Sequence, residues 1–490
     1  MSDQPECPQT INILTLNCWG LKFLATLRNE RLSEIGRRIA IADPIPEIVG
    51  LQECWTQEDY RSIRKQTRSI LPYGKFYHSG IFGGGLAILS RWPIEESSMV
   101  RYPLNGRPTA FFRGDWFVGK GVACARIRIG PAASDVVEVF TTHLHAPYER
   151  EPNDSYICHR TAQAWEIAKL MRGAAERGHL VIGLGDFNMI PLSLAHRLIT
   201  THAPVEDAWR VLHPDSSIGA WNDSVERARA RPVPDANHNL KENGTTCDSV
   251  LNTWRWSKQQ QKALRAGQTI TIEPHTPDPR AKRLDYIFVS DATRNPSPAA
   301  SSWRVASIKV GMTDRHRQHA CSLSDHFSVE ATLSLSPNPP GSTALPHPNP
   351  QQDPEEKPLP VTINGSTLPH TPPLQARQRL PASTYADILA ITATYTQRER
   401  RQRRLRLAHF GASVLVSVGC LAAVWWSPRA FVSFVLMLVS TLGLGAGIVD
   451  GLIGGLFVGS ELRALREFEW EMRNARRAAG YAGADEVWMG

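Results

Sequence analysis

Leu180-Val-Ile-Gly-Leu-Gly-Asp186-Phe-Asn188 carries the reading of this chain. Residues 180–184 form a short, continuous apolar run, the pattern of a strand buried on both faces. The run stops at an acid and an amide spaced two apart. On an extended segment, side chains two apart face one side. Asp186 and Asn188 are therefore expected to project together from a strand end. Six further runs of this kind occupy residues 11–16, 48–51, 86–89, 136–141, 286–289 and 327–333, and 122–129 is also strand-like. Helix-period segments lie between several of them, as at 32–41 and 161–171. This alternation predicts an α/β domain with buried sheets covered by helices. The stretch 209–280 is polar and lacks apolar periodicity, so it reads as a long surface insertion.

Four more polar signatures sit near strand ends. They are Leu16-Asn17-Cys-Trp-Gly, Leu51-Gln52-Glu53, Thr142-His143-Leu-His145-Ala, and Ser324-Asp325-His326 preceded by Arg283-Leu284-Asp285-Tyr286. Each alone is weak, because a lone Glu at a strand end is usually a solvated rim residue. Their joint order and spacing are specific. With Gly185-Asp186-Phe-Asn188 they make the chain resemble the deoxyribonuclease-I-like family of metal-dependent phosphodiesterases over residues 9–335. The resemblance implies a four-layered α/β sandwich with its site at the strand ends of one edge.

The chemistry of such a site suits these residue types. Water attacking a phosphodiester builds negative charge at phosphorus, and a hard cation held by oxygen ligands offsets it. Glu53 is the prime ligand candidate for Mg²⁺, with Mn²⁺ as a substitute. Asn17 is expected to supply an amide oxygen beside it, and Asp325 a ligand to a second metal. His326 suits the general base because imidazole titrates near neutrality. Asp285 would hold its tautomer. His143 would donate to a phosphoryl oxygen, with His145 the competing choice. The family pattern has Asp186 and Asn188 binding water, phosphate or a second metal. Arg160 and Gln163 also match it, as site support.

Gly114-Asp115-Trp-Phe-Val-Gly-Lys120-Gly121 superficially fits a nucleotide-binding loop, but no Ser or Thr follows Lys120 and the next segment is strand-like. It instead resembles the Asp…Lys element of neutral sphingomyelinases and of inositol phosphosphingolipid phospholipases C. That resemblance implies a switch in which Lys120 reaches the substrate phosphate. Headgroup recognition is expected from residues 105–113 and the 209–280 insertion.

The rest of the 490-residue chain changes character twice. Residues 336–381 hold 13 of its 35 prolines and read as a semi-extended linker. Residues 382–407 form a basic juxtamembrane segment. Its apolar positions Ile388, Leu389 and Ile391 suit either a helix along the membrane surface or an extension of the first span. Residues 408–426 and 430–458 are apolar runs long enough to span a bilayer, parted by Ser427-Pro428-Arg429. Arg398, Arg400, Arg401, Arg403, Arg404 and Arg406 precede the first, and Arg463, Arg466, Arg473, Arg476 and Arg477 follow the second, in the tail 459–490. The positive-inside rule then places both termini in the cytosol. The membrane is expected to be the endoplasmic reticulum or the mitochondrial outer membrane. The arginine cluster is expected to attract an anionic phospholipid activator. Gly443, Gly447, Gly451 and Gly455 recur every fourth residue, a spacing that lets helices approach closely within the hairpin or in a homodimer. Asp450 is either an intramembrane acid or the cytosolic edge of the second span.

The averages hide this segregation. Formal charge is +8, yet residues 1–335 carry 40 Lys and Arg against 35 Asp and Glu, which weakens a nuclease reading. A nucleic-acid partner is not expected. Eight scattered cysteines without a C-x-x-C pair, and no secretory signal, fit reduced thiols. The expected activity is a membrane-anchored phospholipase C that hydrolyses inositol phosphoceramide or sphingomyelin to ceramide and a phosphorylated headgroup. A nuclease of the same fold and a non-catalytic membrane adaptor are the alternatives.

Overall fold

The computed structural model describes residues 6–149, 153–268, 270–290, 301–337, 362–363, 366–367 and 380–481. Contacts divide the chain into two compact units. The first is Met1–Tyr102, Gly119–Pro147 and Gln163–Arg379; the second is Pro103–Val118, Tyr148–Ala162 and Leu380–Gly490. The loop bearing Asp115 and the first turn bearing Arg160 thus belong with the C-terminal helices, where the sequence suggested a single boundary near residue 335.

Two six-stranded sheets build the first unit. One holds β1 (Thr10–Asn17), β2 (Ile48–Gln52), β3 (Tyr73–Tyr77), β4 (Leu86–Ser90), β11 (Ser301–Gly311) and β12 (Ser328–Pro337), in the order β11-β12-β1-β2-β4-β3. The other holds β5 (Ile94–Arg101), β6 (Gly121–Arg128), β7 (Val136–His143), β8 (Leu180–Asp186), β9 (Val205–Asp207) and β10 (Asp285–Ser290), in the order β5-β6-β7-β8-β10-β9. Alternate residues of both sheets meet in one core, among them Ile11, Ile13, Ile48, Val137, Val139, Ile182, Leu184, Ile287, Val329 and Leu333. The opposite face of the first sheet, through Leu14, Leu16, Val49, Leu51 and Leu89, packs on Leu32, Ile35 and Ile39 of α1 (Arg28–Ala40) and Ile63 of α2 (Gln57–Thr67). A reciprocal capping box between Thr56 and Asp59 starts α2. On the second sheet, α3 (Ile157–Glu176) approaches so closely that Met171 Sδ lies 2.8 Å from where Gly183 would carry a Cβ. The helix–sheet–sheet–helix layering is the expected four-layered sandwich.

After α4 (Leu194–His202), the 209–280 stretch departs from the expected loose surface insertion. It folds into four short helices, α5 (Ala208–Leu212), α6 (Ser224–Arg227), α7 (Ala236–Lys241) and α8 (Lys258–Arg265), with Trp209 buried among them. Polar contacts order it in place of apolar periodicity. The Arg283 guanidinium grips Asp207 at 2.9 and 2.7 Å, and Asn239, Asn243, Ser249 and Asp278 bond one another or nearby backbone.

The expected linker 336–381 lies almost wholly outside the described residues. In the second unit, α9 (Ala382–Ala423) and α10 (Ala430–Leu452) flank the Ser427-Pro428 break, and a π-type turn at Ile453–Phe457 leads into α11 (Val458–Ala478). Both helical stretches are long and apolar enough to cross a membrane. Residues 382–407 simply continue α9. Ile388 is fully buried, so this apolar stripe does not lie along a membrane surface. Gly447 and Gly451 seat Ser413 and Phe410 of α9, and Ser417 bonds Ser440 across the pair at 2.7 Å. Asp450 is partnered by Arg406 and, at 2.8 Å, by His409. Below the spans, Glu461 accepts from Tyr395 at 2.7 Å and faces His159 at 3.1 Å, beside buried Glu399.

Candidate active site

Strand alternation aims the candidate residues. Asn17 follows Ile11, Ile13 and Thr15 on the inward face of β1; Asp186 follows Ile182 and Leu184; His143 follows Val137, Val139 and Thr141; Asp285 precedes Ile287 and Val289. Each strand therefore ends its apolar inner row in a polar group. Register aligns them: His143 and Asp285 both pair with Asp186 across β7, β8 and β10, while Asn17 pairs with Gln52 in the other sheet. Gln52 bridges the sheets through Thr15 at 3.1 Å and Thr141 at 3.0 Å.

His326 Nδ1 lies 2.8 Å from Asp285 Oδ2, and its Nε2 lies 3.8 Å from Asp186 Oδ2. His143 Nε2 is 3.5 Å from the same Asp186 oxygen. Asn17 Nδ2 donates to Glu53 Oε1 at 3.1 Å and to Asp186 Oδ2 at 3.0 Å. Five of the predicted residues thus meet around one acid. Asn17, however, turns its NH₂ to Glu53, because its oxygen accepts from Trp19 N at 3.0 Å. The expected amide oxygen beside Glu53 is not what the fold presents. Asn188 also departs from the extended geometry expected of it. At φ 45° it is left-handed, and its N–H closes on Asp186 Oδ1 at 2.9 Å. Asn tolerates this conformation and Asp favours such local turns. Its side chain donates to Leu144 O at 3.1 Å.

Backbone strain collects here. Trp19 and Glu53 are also left-handed, at φ 48° and 52°. A Cβ on Gly20 would stand 2.2 Å from Glu53 O, so only glycine lets the β1–α1 loop close over it. Arg31, fully buried, braces that loop by donating to Thr26 O, Cys18 O, Trp19 O and Leu323 O. Nothing in its helix periodicity marks Arg31 for this role.

The other candidates divide. Lys120 Nζ donates to His143 O at 3.2 Å and Leu144 O at 3.4 Å, and Gln163 Oε1 accepts from His145 N at 3.0 Å. Both hold the turn after His143. Asp115 accepts from Tyr148 at 2.9 Å, and Arg160 pairs with Asp154. Asp325 lies 4.0 Å from Arg255. Of the arginine cluster, Arg400, Arg401, Arg403 and Arg404 are exposed, while Arg398 pairs with Glu399 and Arg406 with Asp450.

Burial sets the electrostatics. Desolvation, then Asp325, raises the Glu53 carboxyl, against the Asn17 bond. Desolvation also lifts Asp186 to about 7. His143 is held well below its ordinary value by burial, then by Lys120 and His326. For His326 burial opposes the charge, but Asp285, Cys247 and Asp186 outweigh it and raise the imidazole well above its ordinary value. Among the described residues, Asp186, Asp285 and His326 form a group able to hold a metal ion. Glu53 Oε2 and Asp285 Oδ1 are buried without hydrogen-bond partners. A buried anionic oxygen so placed suits a hard cation.

Paired sheets ending in a carboxylate–imidazole centre form a candidate phosphodiester-hydrolase site, and the chain belongs to the Endonuclease/Exonuclease/phosphatase family, whose model matches residues 14–326. Within it, the chain is 37% identical over 467 residues to "Inositol phosphosphingolipids phospholipase C" of Schizosaccharomyces pombe, covering 95% of this chain and 94% of that one. It is 32% identical over 497 residues to the protein of the same name from Saccharomyces cerevisiae, covering 97% and 92%. To human "Sphingomyelin phosphodiesterase 2" it is 32% identical over 206 residues, covering 42% and 47%.

Proposed function

We propose that the protein is a membrane-anchored, Mg²⁺-dependent phospholipase C that hydrolyses phosphosphingolipids to ceramide and a phosphorylated headgroup. The observation that carries this reading is the His326–Asp285 contact of 2.8 Å beside Asp186, His143 and the Glu53–Asn17 pair. Glu53, with Asp325 beside the site, would hold the cation, for which Mn²⁺ substitutes. Bound there, the cation neutralises phosphate charge and lowers the barrier to attack.

The chain's own groups do the rest. Asp285 accepts from His326 Nδ1–H and orients the ring. Because the imidazole is raised, Nε2 would take a proton from water only in the fraction of molecules where it has lost its own, a fraction that grows as pH rises. Asp186 accepts from Asn17, faces His326 Nε2 at 3.8 Å and would orient that water. His143 and Asn188 donate to phosphoryl oxygens as charge develops. Lys120 and Gln163 keep the His143 turn in position. Full-length relatives named for inositol phosphosphingolipids and two apolar helices support a lipid substrate and an anchor.

Anchoring in the endoplasmic reticulum or mitochondrial outer membrane with cytosolic termini belongs to this proposal, as does an anionic phospholipid activator at Arg400, Arg401, Arg403 and Arg404. A homodimer through the second span belongs to it too: Gly447 and Gly451 pack on α9, but among the described residues nothing lies within 4 Å of where Gly443 would carry a Cβ. The test is an assay of the detergent-solubilised full chain with Mg²⁺ on inositol phosphoceramide, sphingomyelin and duplex DNA. Lipid cleavage that is lost in His326→Ala is expected. Cleavage of DNA alone would overturn the proposal.

A further inference from the structure

The insertion does more than cover the sandwich. Cys247 pairs as a β-bridge with both Lys282 and His326, and Phe327 N donates to Thr246 O at 2.8 Å. This wedge sets Asp248 one residue from the bridge to His326. Asp248 is left-handed at φ 61°, a conformation that Asp tolerates better than most residues. Its two oxygens meet two cations from different segments, Arg255 Nε at 2.8 Å and Lys282 Nζ at 3.0 Å. Arg255 also faces Asp325, at 4.0 Å, on the His326 loop. All four side chains remain partly open, between 21 and 37% exposed. They form a charge-alternating rim of two carboxylates and two cations at the edge of the centre that cleaves the phosphodiester.

We propose that Asp248, Arg255 and Lys282 select the headgroup, favouring a polyol phosphate such as inositol phosphate over phosphocholine. This inference rests on the phospholipase reading above. Vicinal hydroxyls both donate and accept, so they match a carboxylate flanked by a planar guanidinium and an ammonium. A quaternary ammonium has no N–H for the two carboxylates and no acceptor for the two cations, so it leaves the donors and acceptors of this rim unmatched. Recognition of such a group commonly uses aromatic faces. The neighbouring tryptophans Trp19 and Trp254, 4.8 Å apart, already hold the Arg31 guanidinium at 4.6 and 5.7 Å. The same ensemble gives the insertion, whose length the sequence left unexplained, a task at the site.

The experiment compares kcat/KM on inositol phosphoceramide and on sphingomyelin for the solubilised full chain, Arg255→Gln, Lys282→Met and the charge-keeping Arg255→Lys. Inositol 1-phosphate and phosphocholine serve as competing products. Expected is at least a tenfold fall in the inositol-to-choline ratio for Arg255→Gln and Lys282→Met, carried mainly by KM. Weakened inhibition by inositol 1-phosphate should accompany it. Arg255→Lys should fall between these variants and wild type. Thermal melting confirms that each variant folds. A parallel loss on both lipids, or an unchanged ratio, would overturn the inference. A wild type that cleaves neither lipid would instead sink the phospholipase reading, and this inference with it.

Discussion

His326 and Asp285 stand 2.8 Å apart although 41 residues separate them, and both are buried. Asp285 ends the inner row of β10, and His326 ends the loop entering β12 in the other sheet. Asp285→Asn preserves shape but donates where the imidazole needs an acceptor. Turnover is expected to fall roughly 10²–10⁴-fold with little change in KM. Steady-state kinetics on a lipid substrate check this, and a loss below threefold would remove Asp285 from its role.

Glu53 Oε2 is a buried charge-bearing atom with no hydrogen-bond partner. Glu53→Gln should therefore raise the melting temperature in the presence of a chelator, because the buried charge is gone. It should also abolish the Mg²⁺-induced upward shift that wild type shows. Differential scanning fluorimetry with and without Mg²⁺ reads both effects independently of turnover.

Gln163 satisfies the buried N–H of His145. Gln163→Ala leaves that donor unpaired, at a cost of about 1–3 kcal/mol. Denaturant unfolding measures this loss. Activity should drop with it, since the same turn carries His143. Gln163→Met keeps the volume but not the acceptor and should lose a similar amount, which separates the bond from the packing.

Glu399 and Glu461 are pushed up to about 8, each first by burial and then, for Glu399, by Glu461. Tyr395 and Arg107 oppose the shift on Glu461, and Arg107 and His159 on Glu399. Cys158 and Arg398 complete the charged or titratable surroundings. An unfolded glutamate titrates near 4.3. The folded state thus holds protons the unfolded one has lost, so stability falls as pH rises through the folded value. His159, lowered to about 4 by burial, stays neutral above pH 6.5. Melting temperature should drop by several degrees between pH 6.5 and 9, and Glu399→Gln should flatten that slope.

Arg400, Arg401, Arg403 and Arg404 are exposed, whereas Arg398 and Arg406 are internally paired. Replacing the exposed four by Gln should weaken binding of the solubilised protein to phosphatidylserine-containing nanodiscs by at least tenfold, with each arginine contributing about 1 kcal/mol. Arg398→Gln should change binding far less. Equal effects would show that exposure does not decide which arginines meet the lipid.

The sequence by itself determined which segments are interior. The eight strands read from apolar runs are β1, β2, β4, β6, β7, β8, β10 and β12, all interior to their sheets. Those it missed, β3, β5, β9 and β11, are the four sheet edges, where part of each strand faces water and the apolar pattern thins. The main site residues were equally legible, since Asn17, Glu53, His143 and Asp186 close an apolar strand while Asp285 and His326 precede one. Tertiary structure alone decided their hydrogen-bond roles. Trp19 takes the Asn17 oxygen, a left-handed turn bends Asn188 back onto Asp186, and Lys120 holds the His143 turn. It alone also brought Asp248, Arg255 and Lys282 together. Their contacts join residues far apart in the chain through polar bonds, which follow no helical or strand period, so no local pattern could announce them.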